Sequence, residues 1–199
     1  ALIAETVNPQ VIETVQTYLR GTEMELVLVP AKDGRTDLGQ LKQMVDEETA
    51  CFLLQQPNYF GLLEDAEAAG RIAAEKQAKY IVSCNPISLG ILKAPGQYGA
   101  DIAVGEGQPL GMPLSFGGPY LGFMATTGKL MRRLPGRIVG ETKDSRGERA
   151  YVLTLQAREQ HIKREKASSN ICSNQALCAL RSLIHMSLLG PEGLTRVAE

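Results

Sequence analysis

The chain has no excess of charge of either sign: 21 lysines and arginines face 22 aspartates and glutamates, for a formal net charge of −1. That balance gives no overall field to draw in nucleic acid or an anionic membrane, so any charge-driven binding has to be local. Histidine is scarce, at two residues, and the four cysteines Cys51, Cys84, Cys172 and Cys178 contain no Cys-x-x-Cys pair. Neither a zinc or other metal site nor a disulfide framework is expected from that spacing, and reduced thiols in a cytoplasmic setting fit best. No apolar run approaches the roughly 18 residues of a membrane span, and no basic stretch leads into an apolar segment at the start, so neither insertion nor secretion is expected. Internal repeats and low-complexity linkers are also lacking.

What the chain does have is 199 residues with 44% hydrophobic content, enough for an ordinary globular core. The expectation is a single partial domain over 1–199. The abrupt opening at Ala1 and the stop at Glu199, inside a helix-like segment, read as an internal piece of a longer chain.

The hydrophobic pattern alternates between two periods. Asn8-Pro9 offers a helix cap and first turn, Val11, Val15, Tyr18 and Leu19 follow at helical spacing, and Gly21 closes the helix. Strands are expected at Met24–Val29, Ala50–Leu54, Lys79–Ser83 and Asp101–Val104, with helices over Leu38–Val45 and near Glu64–Gln77 and a turn at Asp33-Gly34. Strands alternating with helices imply right-handed crossovers and a mainly parallel sheet flanked by helices, with ligands at the C-terminal strand ends. Further along, strands are expected at Gly122–Thr126 and Tyr151–Leu155. A last helix, with Leu177, Leu180, Ile184 and Leu188 on one stripe, is expected to end at Gly190-Pro191.

Three segments could carry chemistry. The loop GEGQPLGMPLSFGGPYLG, Gly105 to Gly122, follows a strand, but its Gly-x-Gly-x-x-x-Gly spacing is neither a dinucleotide fingerprint nor a P-loop. It is either a phosphate cradle or a tight connection whose backbone approaches another element. The segment QAREQHIKREKASSN, Gln156 to Asn170, is the densest cluster of charge. On a helix it would pair Glu159 with Lys163 and His161 with Glu165 as a solvated face, whereas cations ahead of Ser168-Ser169-Asn170 and a helix start would suit an anion. Asn58, in QQPNYFG beyond a buried strand, is either ligand-facing or a turn former. His185 reads as packing.

Taken together, QQPNYFGLLED, ADIAVGEGQPLGMPLSFGGPYLGFMAT, the long RRLPGRIVGETKDSRGERAYVLTLQAREQHIKREKASSNICSNQALCAL and SLLGPEGL resemble the P-protein family of the glycine cleavage system, the decarboxylating glycine dehydrogenases. The narrower likeness is to the first (alpha) subunits of the two-subunit form. The resemblance implies the large-domain fold of type I enzymes dependent on pyridoxal phosphate (PLP). It also implies an oxidoreductase function in glycine catabolism: with its partner, the enzyme decarboxylates glycine on PLP and passes the aminomethyl group to the lipoyl arm of the H-protein. The implied partners are a beta subunit (subunit 2), the lipoylated H-protein and glycine, in a hetero-oligomer.

PLP chemistry needs a lysine to hold the cofactor and an acid opposite the pyridine nitrogen. The catalytic half of the family carries D-G-A-N for the acid and H-K-T-F-x-x-P-H-G-G-G-G-P for the lysine. Here Val82-Ser83-Cys84-Asn85 matches the first motif with Val82 at the aspartate position. Gly107 to Pro119 follows the second with Gln108 at the lysine position, and no lysine occurs between Lys93 and Lys129. The resemblance therefore implies no catalytic residue and no covalent cofactor on this chain, with PLP on the partner subunit and the isolated chain inactive. Arg158, His161, Lys166, Ser169 and Asn170, together with Asn58 and Glu106, are the candidates for a shared site or interface. The alternatives are a structural dimerisation module, or an independent PLP enzyme using a lysine such as Lys93.

Overall fold

The computed structural model describes residues 1–134, 138–154, 160–167 and 175–199, which fall into two compact units, 1–125 with 175–199, and 126–174. The first unit is built on a sheet of order β2-β1-β5-β6-β7-β8. Its strands are β1 (Leu2–Ala4), β2 (Val27–Val29), β5 (Cys51–Gln56), β6 (Lys79–Cys84), β7 (Ile102–Glu106) and β8 (Gly122–Thr126). A small antiparallel hairpin, β3 (Ala31–Lys32) with β4 (Arg35–Thr36), turns at Asp33-Gly34, both with positive φ as that turn requires.

β1 pairs in parallel with β2 and β5, β5 with β6, and β6 with β7. The mainly parallel sheet flanked by helices is the architecture expected from the alternation. Fully buried apolar runs such as Phe52-Leu53-Leu54 are what a covered parallel strand demands. Helix α1 (Pro9–Leu19) starts where expected, with Asn8 Oδ1 accepting from Gln10 N at 2.9 Å. Helix α2 (Leu38–Met44) is capped by Asp37, and α3 (Ala66–Glu75) by Asp65.

Helix α3 lays Ala66, Ala69, Gly70 and Ala73 against the sheet, and only small side chains allow that approach. A Cβ on Gly70 would lie 2.8 Å from the Tyr80 ring. The freed space holds Tyr80, stacked on Phe52 at 6.1 Å between centroids, its hydroxyl donating to Ala66 O at 2.8 Å. Burial pushes the Tyr80 phenol far up, and burial, with Cys84 beside it, pushes Tyr98 up to about 12. Both phenols therefore stay neutral in the fold above the pH at which they ionise in the unfolded chain. The sign follows: stability holds below about pH 10 and is lost as pH rises from there towards 12. Denaturant titrations at pH 9 and pH 11 are expected to show that loss, and Tyr98→Phe to lessen it.

Two strands depart from the sequence expectation. Strand β2 is only the last half of Met24–Val29. The Asp101–Val104 strand starts and ends later, so that Gly105 and Glu106 belong to β7 rather than to the loop. The last helical element, α5 (Ala176–Ala198), breaks at Gly190-Pro191 as expected: Gly190 is non-helical (φ 63°, ψ −179°), and a second helical segment follows it. Within this chain the stripe Leu177, Leu180, Ile184 and Leu188 faces solvent, while the buried residue of α5 is Ser182.

In the second unit, β9 (Ile138–Lys143) pairs antiparallel with β10 (Arg149–Thr154). Asp144 closes the turn, accepting from Arg146 N and Glu148 N, which holds its carboxyl below the usual range. Helix α4 (Gln160–Lys163) is a single turn, followed by a tight 3₁₀ turn at Arg164–Lys166 in which Arg164 has φ 52°. A continuous helix aligning His161 with Glu165 does not form, because the left-handed residue at 164 ends the helical ladder. No helix among the described residues is long and apolar enough to cross a membrane.

Candidate functional site at the C-terminal rim of the sheet

The parallel strands bring their C-terminal ends to one edge, the edge at which sheets of this kind bind ligands. Thr6 lies just beyond β1, Asn58 just beyond β5, Asn85 just beyond β6, and Glu106 and Gln108 at the end of β7. The sequence singled out Asn58, Glu106 and Gln108, and the fold places all three on this rim.

Asn58 is buried and uses its whole amide. Nδ2 donates to Gly34 O at 2.8 Å and to Glu64 Oε1 at 2.9 Å, and Oδ1 accepts from Phe60 N and Leu62 N, both at 3.0 Å. Glu64 is the residue that sequence reasoning missed. It is only 7% exposed, and its carboxylate also accepts from Thr6 Oγ1 at 2.7 Å and from Thr36 N at 2.9 Å. A buried carboxylate is tolerable only when paired or amply hydrogen-bonded, and here three donors from three segments provide that. Nothing local announces it, since Gly61-Leu62-Leu63-Glu64-Asp65 reads as a helix approach. Only the chain crossings that bring Thr6 and Thr36 to it create the site.

The loop after β7 closes on itself. Glu106 Oε1 accepts from Gln108 N at 3.0 Å and from Leu121 N, Gly107 N donates to Leu121 O at 2.7 Å, and Gln108 Nε2 donates to Pro113 O at 3.1 Å. Arg181 Nε of α5 donates to Gly111 O at 2.8 Å, and Gly111 (φ 92°) lies so close to His185 that a Cβ there would be 2.6 Å from the His185 Cβ. The close-approach reading of the glycines therefore describes their geometry, and His185 packs as expected.

Val82, set against the aspartate, is fully buried in mid-strand, in register with Leu54 and Ala103. Gln108 already spends its amide on Pro113. An apolar side chain cannot pair a protonated ring nitrogen and an amide cannot bind an aldehyde covalently, so these residues do not fit PLP. Lys93 is exposed on the surface, 3.4 Å from Glu67. Lys166 is exposed in the second unit. Arg158, Ser169, Asn170 and the side chain of His161 lie outside the described residues.

The family model for the glycine cleavage system P-protein matches residues 1–199. The chain belongs to the P-protein family. It is 57% identical to a probable glycine dehydrogenase (decarboxylating) subunit 1 of Moorella thermoacetica over 99% of this chain and 44% of that protein. A protein of the same description from Lysinibacillus sphaericus is 53% identical, again over 99% and 44%. Among solved structures, an inhibitor-bound glycine decarboxylase (P-protein) superposes with a TM-score of 0.91 at 45% identity, covering 98% of this chain and 44% of that one. Mouse CSAD in its apo form shares the fold, with a TM-score of 0.65 at 15% identity over 98% of this chain and 40% of that one. The fold is thus that of the type I PLP-dependent enzymes. The chain spans less than half the length of the P-protein relatives it matches, whose names as subunit 1 imply a second subunit in those proteins.

Proposed function

We propose that this chain is the part of a glycine-decarboxylating enzyme that does not hold PLP, and that it completes the site of a cofactor-bearing second subunit. In that assembly glycine loses CO2 and its aminomethyl group passes to the lipoyl arm of an H-protein. The observation that carries this reading is the identity to subunit 1 proteins combined with Val82 and Gln108, which stand at the acid and lysine positions and cannot serve the cofactor. Arg158, His161, Lys166, Ser169 and Asn170 are proposed to lie at the shared site or interface and to position an anionic group such as a phosphate or carboxylate. Asn58 and Glu106, which hold loops at the rim of the sheet, are proposed as further candidates for a shared site or interface. The setting proposed is the cytoplasm.

Reconstitution of the intact protein with its second subunit and PLP, followed by borohydride reduction and peptide mapping, tests the proposal. The expected result is glycine-dependent CO2 release only with both subunits, and a cofactor label on the second subunit alone. Stoichiometric labelling of a lysine in this chain, Lys93 included, would overturn it.

A further inference from the structure

The balanced charge of the whole chain hides a strong division between its two units. Residues 126–174 carry 11 lysines and arginines against 5 aspartates and glutamates, a surplus of 6 positive charges, whereas the other 150 residues carry 10 against 17, a surplus of 7 negative charges. The two surpluses leave the net charge of −1. The cations are also placed differently. In the first unit Arg71, Lys76, Lys79, Lys93 and Arg196, five of its ten, each lie beside a carboxylate. In the second, Arg146 is ion-paired with Asp144 and Glu148, and among the described residues no other cation of that unit has a carboxylate partner.

The β9–β10 hairpin displays part of that surplus on one face. Lys143 and Arg149 are direct cross-strand partners, so both side chains leave the same side of the hairpin, and both are exposed. Like charges set directly opposite are destabilising, and a two-stranded hairpin has little stability to spare. Tyr151 follows on the same face, with the Arg149 guanidinium 5.8 Å from its ring centre, and Val139 and Leu153 lie opposite each other beyond it, all three exposed. Glu141, the cross-strand partner of Tyr151, is the carboxylate of this face, and it is ion-paired with neither cation.

Arginine and tyrosine beside aliphatic side chains are the make-up of a protein-binding surface. The cations select an acidic partner, because the field of the unit steers it in and because an incoming carboxylate relieves the repulsion between Lys143 and Arg149. A nucleic acid would satisfy the cations but would meet Glu141 with like charge and leave Val139 and Leu153 without an apolar partner. We propose that the face formed by Val139, Lys143, Arg149, Tyr151 and Leu153 docks an acidic segment of another protein, weakly and in a salt-dependent way. This docking surface goes beyond the functional reading above and does not depend on it.

The test titrates the intact protein with a fluorescent glutamate-rich peptide that carries two leucines. The peptide is expected to bind, and to lose about tenfold in affinity between about 50 mM and about 200 mM salt. Lys143→Glu/Arg149→Glu should melt like the parent and bind about 20-fold more weakly, whereas Lys32→Glu/Lys42→Glu, the same change of net charge at exposed lysines of the first unit, should bind within about twofold. Lys143→Glu alone sets opposite charges across the strands, and is expected to raise the melting midpoint while weakening peptide binding about threefold. Failure of the peptide to bind at about 50 mM salt, as when other residues of the protein already cover the face, overturns the proposal. So does equal weakening by the two double variants, which would make the attraction a matter of net charge alone. Tighter binding of a DNA duplex or of phosphatidylserine vesicles than of the peptide, lost in Lys143→Glu/Arg149→Glu, overturns it in favour of a phosphate-bearing surface.

Discussion

Replacing Gly105 with alanine is expected to cost about 3 kcal/mol of stability. Gly105 lies within β7, and a Cβ built there falls 2.3 Å from the backbone carbonyl of Cys84 and 2.5 Å from Cζ of Phe123. The phenylalanine ring could shift, but the carbonyl belongs to β6. The added methyl must therefore push the β6 and β7 backbones apart where they register through Val82–Ala103 and Ser83–Val104. Overpacking against backbone has no rotamer by which to relax. The same substitution at Gly96, where a Cβ meets nothing within 4 Å and φ is not positive, is expected to be neutral or to stabilise by up to about 1 kcal/mol, by restricting the unfolded chain. Urea midpoints of the two variants, compared at equal slope, check the contrast. Equal effects at the two positions would contradict the close β6–β7 approach.

The second large effect is expected at Glu64. Glu64→Ala removes the acceptor for Thr6 Oγ1, for Asn58 Nδ2 and for Thr36 N. The threonine hydroxyl retains Thr36 Oγ1 at 3.3 Å and one N–H of the asparagine amide retains Gly34 O, so the other Asn58 N–H and the Thr36 N–H are left without their partner. Two orphaned buried donors plus the lost bonds to a charged acceptor come to about 4 kcal/mol. Glu64→Gln keeps the shape but must turn an amide NH2 towards either the Thr36 N–H or the Asn58 amide, two donors facing each other, and is expected to cost about 1.5 kcal/mol. Denaturant unfolding gives the magnitudes. Amide exchange at Phe60 and Leu62, whose N–H groups are held by Asn58, should speed up in both variants. Full protection at those amides in Glu64→Ala would show that the carboxylate does not hold the loop.

The alternation of strand and helix, and with it the parallel sheet, was legible because burial on both faces forces continuous apolar runs such as Phe52-Leu53-Leu54 and because Asn8-Pro9 and Gly21 punctuate α1 locally. That no lysine lies between Lys93 and Lys129 was equally legible, being a matter of composition independent of any contact. Strand β9 was not expected, since Ile138–Lys143 has only weak alternation and becomes a strand through its register with Arg149–Thr154. The outward direction of the α5 stripe was not legible either. Helical spacing shows that Leu177, Leu180, Ile184 and Leu188 share a face, but not which way that face points.

The sequence by itself determined the fold class and the family resemblance, because these depend on residue identity and spacing along the chain. Only the tertiary structure decided that Thr6, Thr36, Asn58 and Glu64 form one buried network. Those residues come from separate segments, as far apart as 58 positions, that meet only once β1 lies beside β5 and the β3–β4 hairpin folds over their ends. A hydrogen bond needs its partner within about 3 Å, and no local pattern encodes that distance between residues so remote in the chain.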